Sequence, residues 1–407
     1  MTMDVIVVGA GIGGLCLAQG LRQAGITVDV YEKDPGITAR FQGYRIGIDA
    51  GGEAALRACL PERWHDLLDG TMGDLSGARS VLDPRLNLID EWPPAQGSAA
   101  DRHVLRHLLL AGLGERLHTG KRLTGYRNRP DGTVEALFAD GTTATGDLLV
   151  GADGINSAVR GLLDPELTPT DTGVRFVIGR TPLSDRFARL VPGFGTQIVD
   201  GEVNLALGLM RFRRPETASE AAAHGIALPP IADYVRWVML LPPDHPGDAA
   251  GAQETVLSRI EGWHADVRAL IARADKDNTT SLAIRVVHPV RRRPPGPVTL
   301  LGDAVHATSP SGGNGANTAL RDADLLRRNL TDVVQGRREL RDAIDDYETQ
   351  MTEYGAAAVR YSVAALEKFL PAGRRGPTRP EAATASISAA AVNNTGNRRP
   401  RCDETAT

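Results

Sequence analysis

The stretch VIVVGAGIGGLCLAQGLRQAGITVDVYEKD, Val5 to Asp34, constrains this chain more than any other. A run of β-branched residues reads as a buried parallel strand, breaks into Gly9, Gly11, Gly13 and Gly14, and gives way to an apolar-periodic helix. The spacing is G-x-G-x-x-G. Gly9 permits the tight turn, Gly11 lets the backbone approach a pyrophosphate, and Gly14 lets the helix pack close against its strand. Phosphate then meets unpaired N–H groups at the helix start. A second strand, Thr27 to Tyr31, delivers Glu32, whose carboxylate can accept both hydroxyls of an adenosine ribose and would repel a 2′-phosphate. Glycines alone would mark only a turn, but strand, glycines, helix, strand and acid in that order read as a dinucleotide site. The stretch by itself leaves FAD and NAD open.

At 407 residues the chain exceeds the ~250 to 300 at which single cores stop growing, so two or three cores are expected. Its 42% hydrophobic and 24% charged residues are those of a globular protein. A net charge of -4, with no long basic block, argues against nucleic acid or an acidic membrane as partner. The apolar start lacks a basic n-region and carries Asp4, unlike a signal peptide, and no other stretch reaches the ~18 apolar residues of a membrane span. A cytoplasmic protein is expected. Cys16, Cys59 and Cys402 form no C-x-x-C and read as buried or idle thiols, and the nine histidines show no metal-ligand spacing, so no metal site is expected.

Periodicity places a strand at Tyr44 to Ile48, a helix around Glu53 to Cys59, irregular strands between Met72 and Gly97, and a helix over Asp101 to Leu117 capped by Asp101. Arg102 and Arg106 fall in the first turns of that helix, away from much of its leucine stripe. Leu123 to Tyr126, Val134 to Phe138 and Thr143 to Leu148 alternate as strands. From Thr170 to about Pro243 the βα alternation stops and four strands suggest an antiparallel sheet, covered by a helix over Gln253 to Arg273. Trp237, Met239, Phe212 and Leu207 could line a pocket or simply be core. Helices over about Asn317 to Val334 and Leu340 to Phe369 close the folded part.

Two further strand-to-helix junctions carry glycines. In DLLVGADGINSAVR, Gly151, Asp153 and Gly154 follow a buried strand and Ser157 and Arg160 open a helix; alone, this reads as a loop in which Asp153 caps a helix. In LLGDAVHATSPSGGNGAN, Asp303 follows a strand and Pro310, Gly312, Gly313 and Gly315 precede a helix. Such a helix start can stabilise the negative charge that a reduced flavin develops at its N1/O2 edge, with Asp303 accepting from ribitol hydroxyls.

With these three junctions in order, the sequence resembles the single-component FAD-dependent aromatic hydroxylases, a family that includes aromatic polyketide hydroxylases and tetracycline-inactivating monooxygenases. The resemblance spans about Met3 to Leu366. It implies an α/β fold: a Rossmann-like FAD-binding domain (1–72, 101–169, 281–335) interleaved with an antiparallel-sheet substrate domain (73–100, 170–280), then a C-terminal helix (336–370) and a flexible tail (371–407). Residue by residue, it implies that Gly9, Gly11, Gly14 and Glu32 bind the ADP half of FAD. ARFQGYRIGI is similar to the family loop in which an arginine touches the cofactor, making Arg40 a candidate; in DRHVLRHLL, Arg102 matches better than Arg106. Asp153 and Arg160 match the second motif, Asp303, Pro310, Gly313 and Gly315 the third, with Pro310, Gly313 and Gly315 facing the flavin. Asn314, between the last glycines, departs from the commonest choice.

The activity so implied consumes NADPH or NADH and O2: the reduced flavin adds O2 at C4a, and the hydroperoxide transfers one oxygen to a small aromatic or polycyclic specialised metabolite, as in antibiotic biosynthesis. No general base is assigned. His306 reads as a packing or hydrogen-bonding residue beneath the flavin. A flavin halogenase would need W-x-W-x-I-P, and Trp64, Trp92, Trp237 and Trp263 are not so spaced. An FAD oxidoreductase without oxygen insertion, or a non-catalytic flavin-binding protein, is the alternative.

Overall fold

The structure, a computed structural model, describes residues 2–36, 39, 43–93, 96–201, 203–241 and 251–368. Strand β1 (Asp4–Val8), helix α1 (Ile12–Gln23) and strand β2 (Thr27–Tyr31) form the expected βαβ unit, with β1 and β2 parallel. β1 is central in a five-stranded parallel sheet, flanked by β2 and by Leu148–Gly151, with Val298–Leu300 and Leu117–His118 outside them. Val5 to Val8 are buried on both faces, as parallel strands covered by helices must be.

The glycines of the first turn split into two kinds. Gly9 has φ +111, where a side chain would be strained, and a Cβ on Gly14 would meet the Gly9 carbonyl oxygen at 2.3 Å. A Cβ on Gly11 would meet nothing within 4 Å. Gly14 is therefore needed by the fold, whereas Gly11 borders open space.

The second layer is a seven-stranded sheet. Its order is Thr280–Val287, Pro169–Pro182, Tyr234–Leu241, Val203–Met210, Gly195–Asp200, Arg79–Leu82 and Leu88–Trp92. The expected antiparallel sheet needs one correction: Gly195–Asp200 pairs parallel with Arg79–Leu82, because those strands come from distant parts of the chain rather than from a hairpin. One face packs Leu205, Leu207, Val235, Trp237 and Met239 against Val256, Trp263 and Leu270, so Trp237, Met239 and Leu207 are core. The other face carries Met210, Phe194 and Tyr234, which cluster with Tyr44, Ala99 and Phe212. Behind them lies a small sheet of β3 (Arg45–Ile48), Ser98–Asp101 and Met72–Asp74.

Three expectations, two helical and one of a strand, are corrected. Gln253 to Arg273 is two helices, Ala252–Arg259 and Ala265–Ala272, interrupted near Gly262, with His264 Nδ1 capping the second. Asp101 caps a helix that ends at Leu110 instead of Leu117, where Gly112 and Gly114 take positive φ and turn the chain. Thr143 to Leu148 is not one strand: Thr143–Gly146 belongs to a three-stranded meander, and after Asp147 the chain enters the parallel sheet. The last two helices are Gly315–Val334 and Leu340–Glu367. No helix among the described residues is long and apolar enough to cross a membrane.

Candidate functional site

The carboxyl ends of four parallel strands are hydrogen-bonded one to the next. Gly9 N donates to Tyr31 O at 2.8 Å, Ala152 N to Val8 O at 2.7 Å, and Leu301 N to Gly151 O at 2.9 Å. The three glycine junctions, at Gly9, Gly151 and Gly302 and so distant in sequence, thus lie side by side at one sheet edge, the crevice where open α/β sheets bind ligands.

Two helices start at that edge without side-chain caps. In α1 the first helical bond is Leu15 N to Gly11 O, and in Gly315–Val334 it is Thr318 N to Asn314 O. Neither has an acidic residue in its first turn, so no carboxylate of either first turn competes for the N–H donors. The helices pack directly: a Cβ on Gly13 would lie 2.6 Å from Leu301 Cδ2 and 3.2 Å from Ala319 Cβ. At about 1.5 Å rise per residue, Ala319 is only about 6 Å along its helix from Gly315. Two anion-receptive ends therefore face one crevice.

Glu32 sits where β2 ends and is 5% exposed. Its Oε2 accepts from Ala10 N at 2.9 Å and its Oε1 from Asp34 N at 3.0 Å. Arg106 Nη2 lies 3.6 Å from Glu32 Oε2, and Arg106 Nε donates to Ala10 O at 2.7 Å. Arg106 does not turn away from the leucine stripe as expected; it is 2% exposed and braces the glycine turn against the acid. Arg102 N donates to Tyr44 O, and its side chain runs beside Gly43. Arg40 lies outside the described residues.

Asp153 accepts from Ser157 Oγ at 2.5 Å and Ala158 N at 2.6 Å, and Ser157 Oγ accepts from Arg160 N at 2.9 Å. Burial pushes the Asp153 carboxyl up, against those hydrogen bonds. Arg160 donates to three carbonyls: Leu167 O at 2.9 Å, Ile155 O at 2.7 Å and Ala304 O at 2.9 Å. It fastens the second junction to the residue after Asp303.

Asp303 itself is exposed, with its Oδ1 3.9 Å from where a Cβ on Gly315 would stand. Pro310 opens a short 3-10 turn capped by Ser309, and Gly313 takes φ +66 with nothing within 4 Å of an added Cβ. The last helix props this loop: Ser362 Oγ accepts from Ser309 N, and Asn314 Nδ2 donates to Ala358 O. Asn317 joins it to β3, donating to Gly47 O at 3.2 Å and accepting from Asp49 N at 3.1 Å. Beneath, His306 is 1% exposed and its Nε2 is 2.7 Å from Asp322 Oδ2.

These residues fit FAD: two uncapped helix starts, open space over Gly11 and Gly313, an acid at the end of β2 and an exposed acid beside Gly315. Periodicity could not single out Asp322 or Asn317, which read as ordinary polar positions of an amphipathic helix.

Residues 101–362 match the FAD binding domain family and residues 7–64 the NAD(P)-binding Rossmann-like domain. A dual O-methyltransferase/FAD-dependent monooxygenase of Cercospora beticola is 32% identical over 85% of this chain and 44% of its own length. This chain spans less than half the length of that protein and of its counterparts in Phaeosphaeria nodorum (40%) and Cercospora nicotianae (42%). The aurachin C monooxygenase/isomerase of Stigmatella aurantiaca is 30% identical over 81% of both chains. The crystal structure of a putative FAD containing monooxygenase from Photorhabdus luminescens superposes with a TM-score of 0.78 at 32% identity, covering 90% of this chain and 98% of that one.

Proposed function

The chain belongs to the FAD-dependent monooxygenases that share this FAD binding domain, and on that premise we propose that it inserts one oxygen atom from O2 into an aromatic or polycyclic specialised metabolite, with NADPH or NADH as reductant. The observation that carries this reading is the meeting of two uncapped helix starts at the edge where the three junctions lie side by side. Bound FAD would take a hydride from the nicotinamide and activate O2, one atom going to the substrate and the other leaving as water.

The protein's part is position and charge. The N–H groups opening α1 are assigned to the pyrophosphate, Glu32 to the adenosine ribose and Asp303 to the ribitol chain. Those at the start of Gly315–Val334 are assigned to the negative edge of the reduced ring, with Pro310, Gly313 and Gly315 facing it. Arg160 and Arg106 are assigned as positioning residues: Arg160 donates to three backbone carbonyls, and Arg106 Nε to Ala10 O beside Glu32. The substrate is assigned to the face of the seven-stranded sheet that carries Phe194, Met210 and Tyr234, away from the Trp237 core.

Purified protein given FAD, NADPH, 18O2 and a panel of polycyclic phenols tests this. One 18O atom per product molecule supports oxygen insertion; hydrogen peroxide as the sole oxygen product across the panel would favour an FAD oxidoreductase without insertion.

A further inference from the structure

Across the sheet face assigned to the substrate, one ladder row reads Arg180, Arg236, Gly208, Gly195, Arg79, Trp92, each residue directly opposite the next. Side chains at paired positions share a face. Arg45 of β3 reaches into the same place from the small sheet. A Cβ on Gly208 would lie 3.0 Å from Arg236 Nη2 and 3.1 Å from Arg45 Nη1, and one on Gly195 3.5 Å from Arg79 Nε. The two glycines form a floor on which three guanidinium groups converge.

Nothing among the described residues neutralises them. Arg45 Nε and Arg236 Nε are buried without a hydrogen-bond partner, and the one contact of the Arg45 fork is a long one, 3.4 Å to Phe194 O. Arg79 lies over the Trp92 and Phe194 rings. The carboxylate of Asp101, which pairs with Arg45 in the small sheet, is taken by His103 N, Val104 N and the Tyr234 hydroxyl. Burial first, then the neighbouring guanidinium, pushes Arg45 down to about 9 and Arg236 to about 10; both stay cationic at neutral pH. Three other buried cationic side chains, by contrast, have a carboxylate beside them: Arg293 with Glu348, Arg106 with Glu32 and His306 with Asp322, while the buried Arg160 spends its donors on three backbone carbonyls. Three converging cations without a counter-charge are costly unless something else supplies one.

The row also lies near the proposed chemistry. Gly47, two residues along β3 from Arg45, accepts from Asn317 in the first turn of Gly315–Val334. Two strand residues span about 7 Å.

Building on the proposed monooxygenase function, we infer that Arg45, Arg79 and Arg236 form a subsite for an anionic oxygen group of the substrate, a carboxylate or an acidic phenolate or enolate on an aromatic framework. Guanidinium forks match such groups in a bidentate manner, and the flanking Phe194, Trp92 and Tyr234 rings suit the attached ring. The substrate so defined is an aromatic acid, held by its charged end.

The FAD-loaded full chain is titrated calorimetrically with naphthalene-2-carboxylate and with the neutral 2-naphthamide. Wild type is expected to prefer the carboxylate at least about tenfold, and Arg236→Gln and Arg45→Gln to lose at least about tenfold for the carboxylate alone. Both variants should melt at or above the wild-type temperature, because a buried repulsion is relieved; a merely structural arginine would give the opposite shift. No preference in wild type, including no binding of either probe, overturns the inference, as do variants that bind the carboxylate like wild type. A rise in the Kd for NADPH with unchanged carboxylate binding would assign the row to the nucleotide phosphate and overturn it too. The wild-type comparison stands even if a variant fails to fold. Lost selectivity in a yellow protein that consumes O2 with NADPH defeats this inference alone, whereas a chain that takes up no FAD defeats the function beneath it.

Discussion

Asp322 Oδ2 and His306 Nε2 are 2.7 Å apart in the interior, directly beneath the Asp303 turn. The same oxygen accepts from Gly302 N at 2.8 Å, and the other accepts from the Tyr354 hydroxyl at 2.6 Å. One carboxylate thus fixes the strand end, the short helix Asp303–His306 and the last helix together.

Burial opposes a charge on His306, but Asp322, through its charge and hydrogen bond, outweighs it, and the imidazole pKa is raised. A raised folded value contributes stability that is fully present below the unfolded value of about 6.5 and is lost as pH rises through the folded value. In urea unfolding at about pH 6 and about pH 9, wild type should lose more stability than His306→Asn, narrowing the gap between them. Equal losses in the two proteins would contradict the ion pair.

Gly11 and Gly14 should fail differently. The Cβ of Gly11→Val meets no protein atom within 4 Å, so the chain should melt as wild type yet purify colourless. Gly14→Val drives into the Gly9 carbonyl and should cost at least about 2 kcal/mol of stability. Stoichiometric FAD on Gly11→Val would remove the pyrophosphate from this turn.

The two motif acids should also separate. Asp303→Ala, exposed beside Gly315, should weaken FAD by about 1 to 3 kcal/mol in a fluorescence titration while the cofactor-free protein keeps its melting temperature. Asp153→Ala, which removes hydrogen bonds to Ser157 and Ala158, should destabilise the fold by about 1 kcal/mol. The reverse pattern would exchange their roles.

Arg160→Lys keeps the charge but cannot satisfy carbonyls at Ile155, Leu167 and Ala304 together. Stability should fall by about 2 kcal/mol by denaturant titration. An unchanged midpoint would show that the three bonds are dispensable.

The unit from β1 to Glu32 was legible because its demands are local: a positive φ at Gly9, a close approach at Gly14, an acid one residue past a strand. That Asp153 serves the start of the helix was legible for the same reason, although the N-cap itself is Ser157, which Asp153 holds. What stayed hidden depends on distant partners. Arg106 meets Ala10 across 96 positions, so in sequence it ranked behind Arg102. Arg79 and Arg236 come together only through the register of four strands, and in ARFQGYRIGI the sequence singled out Arg40 instead of Arg45. The break near Gly262 was missed because the apolar period runs on through two helices.

A crystal structure of the FAD-loaded chain tests the central claim most directly. The account expects the pyrophosphate at the start of α1, the ribose at Glu32, and the flavin ring between Pro310 and Gly315, before the first turn of Gly315–Val334. FAD bound away from the three junctions, or with its ring away from Pro310 to Gly315, would contradict it.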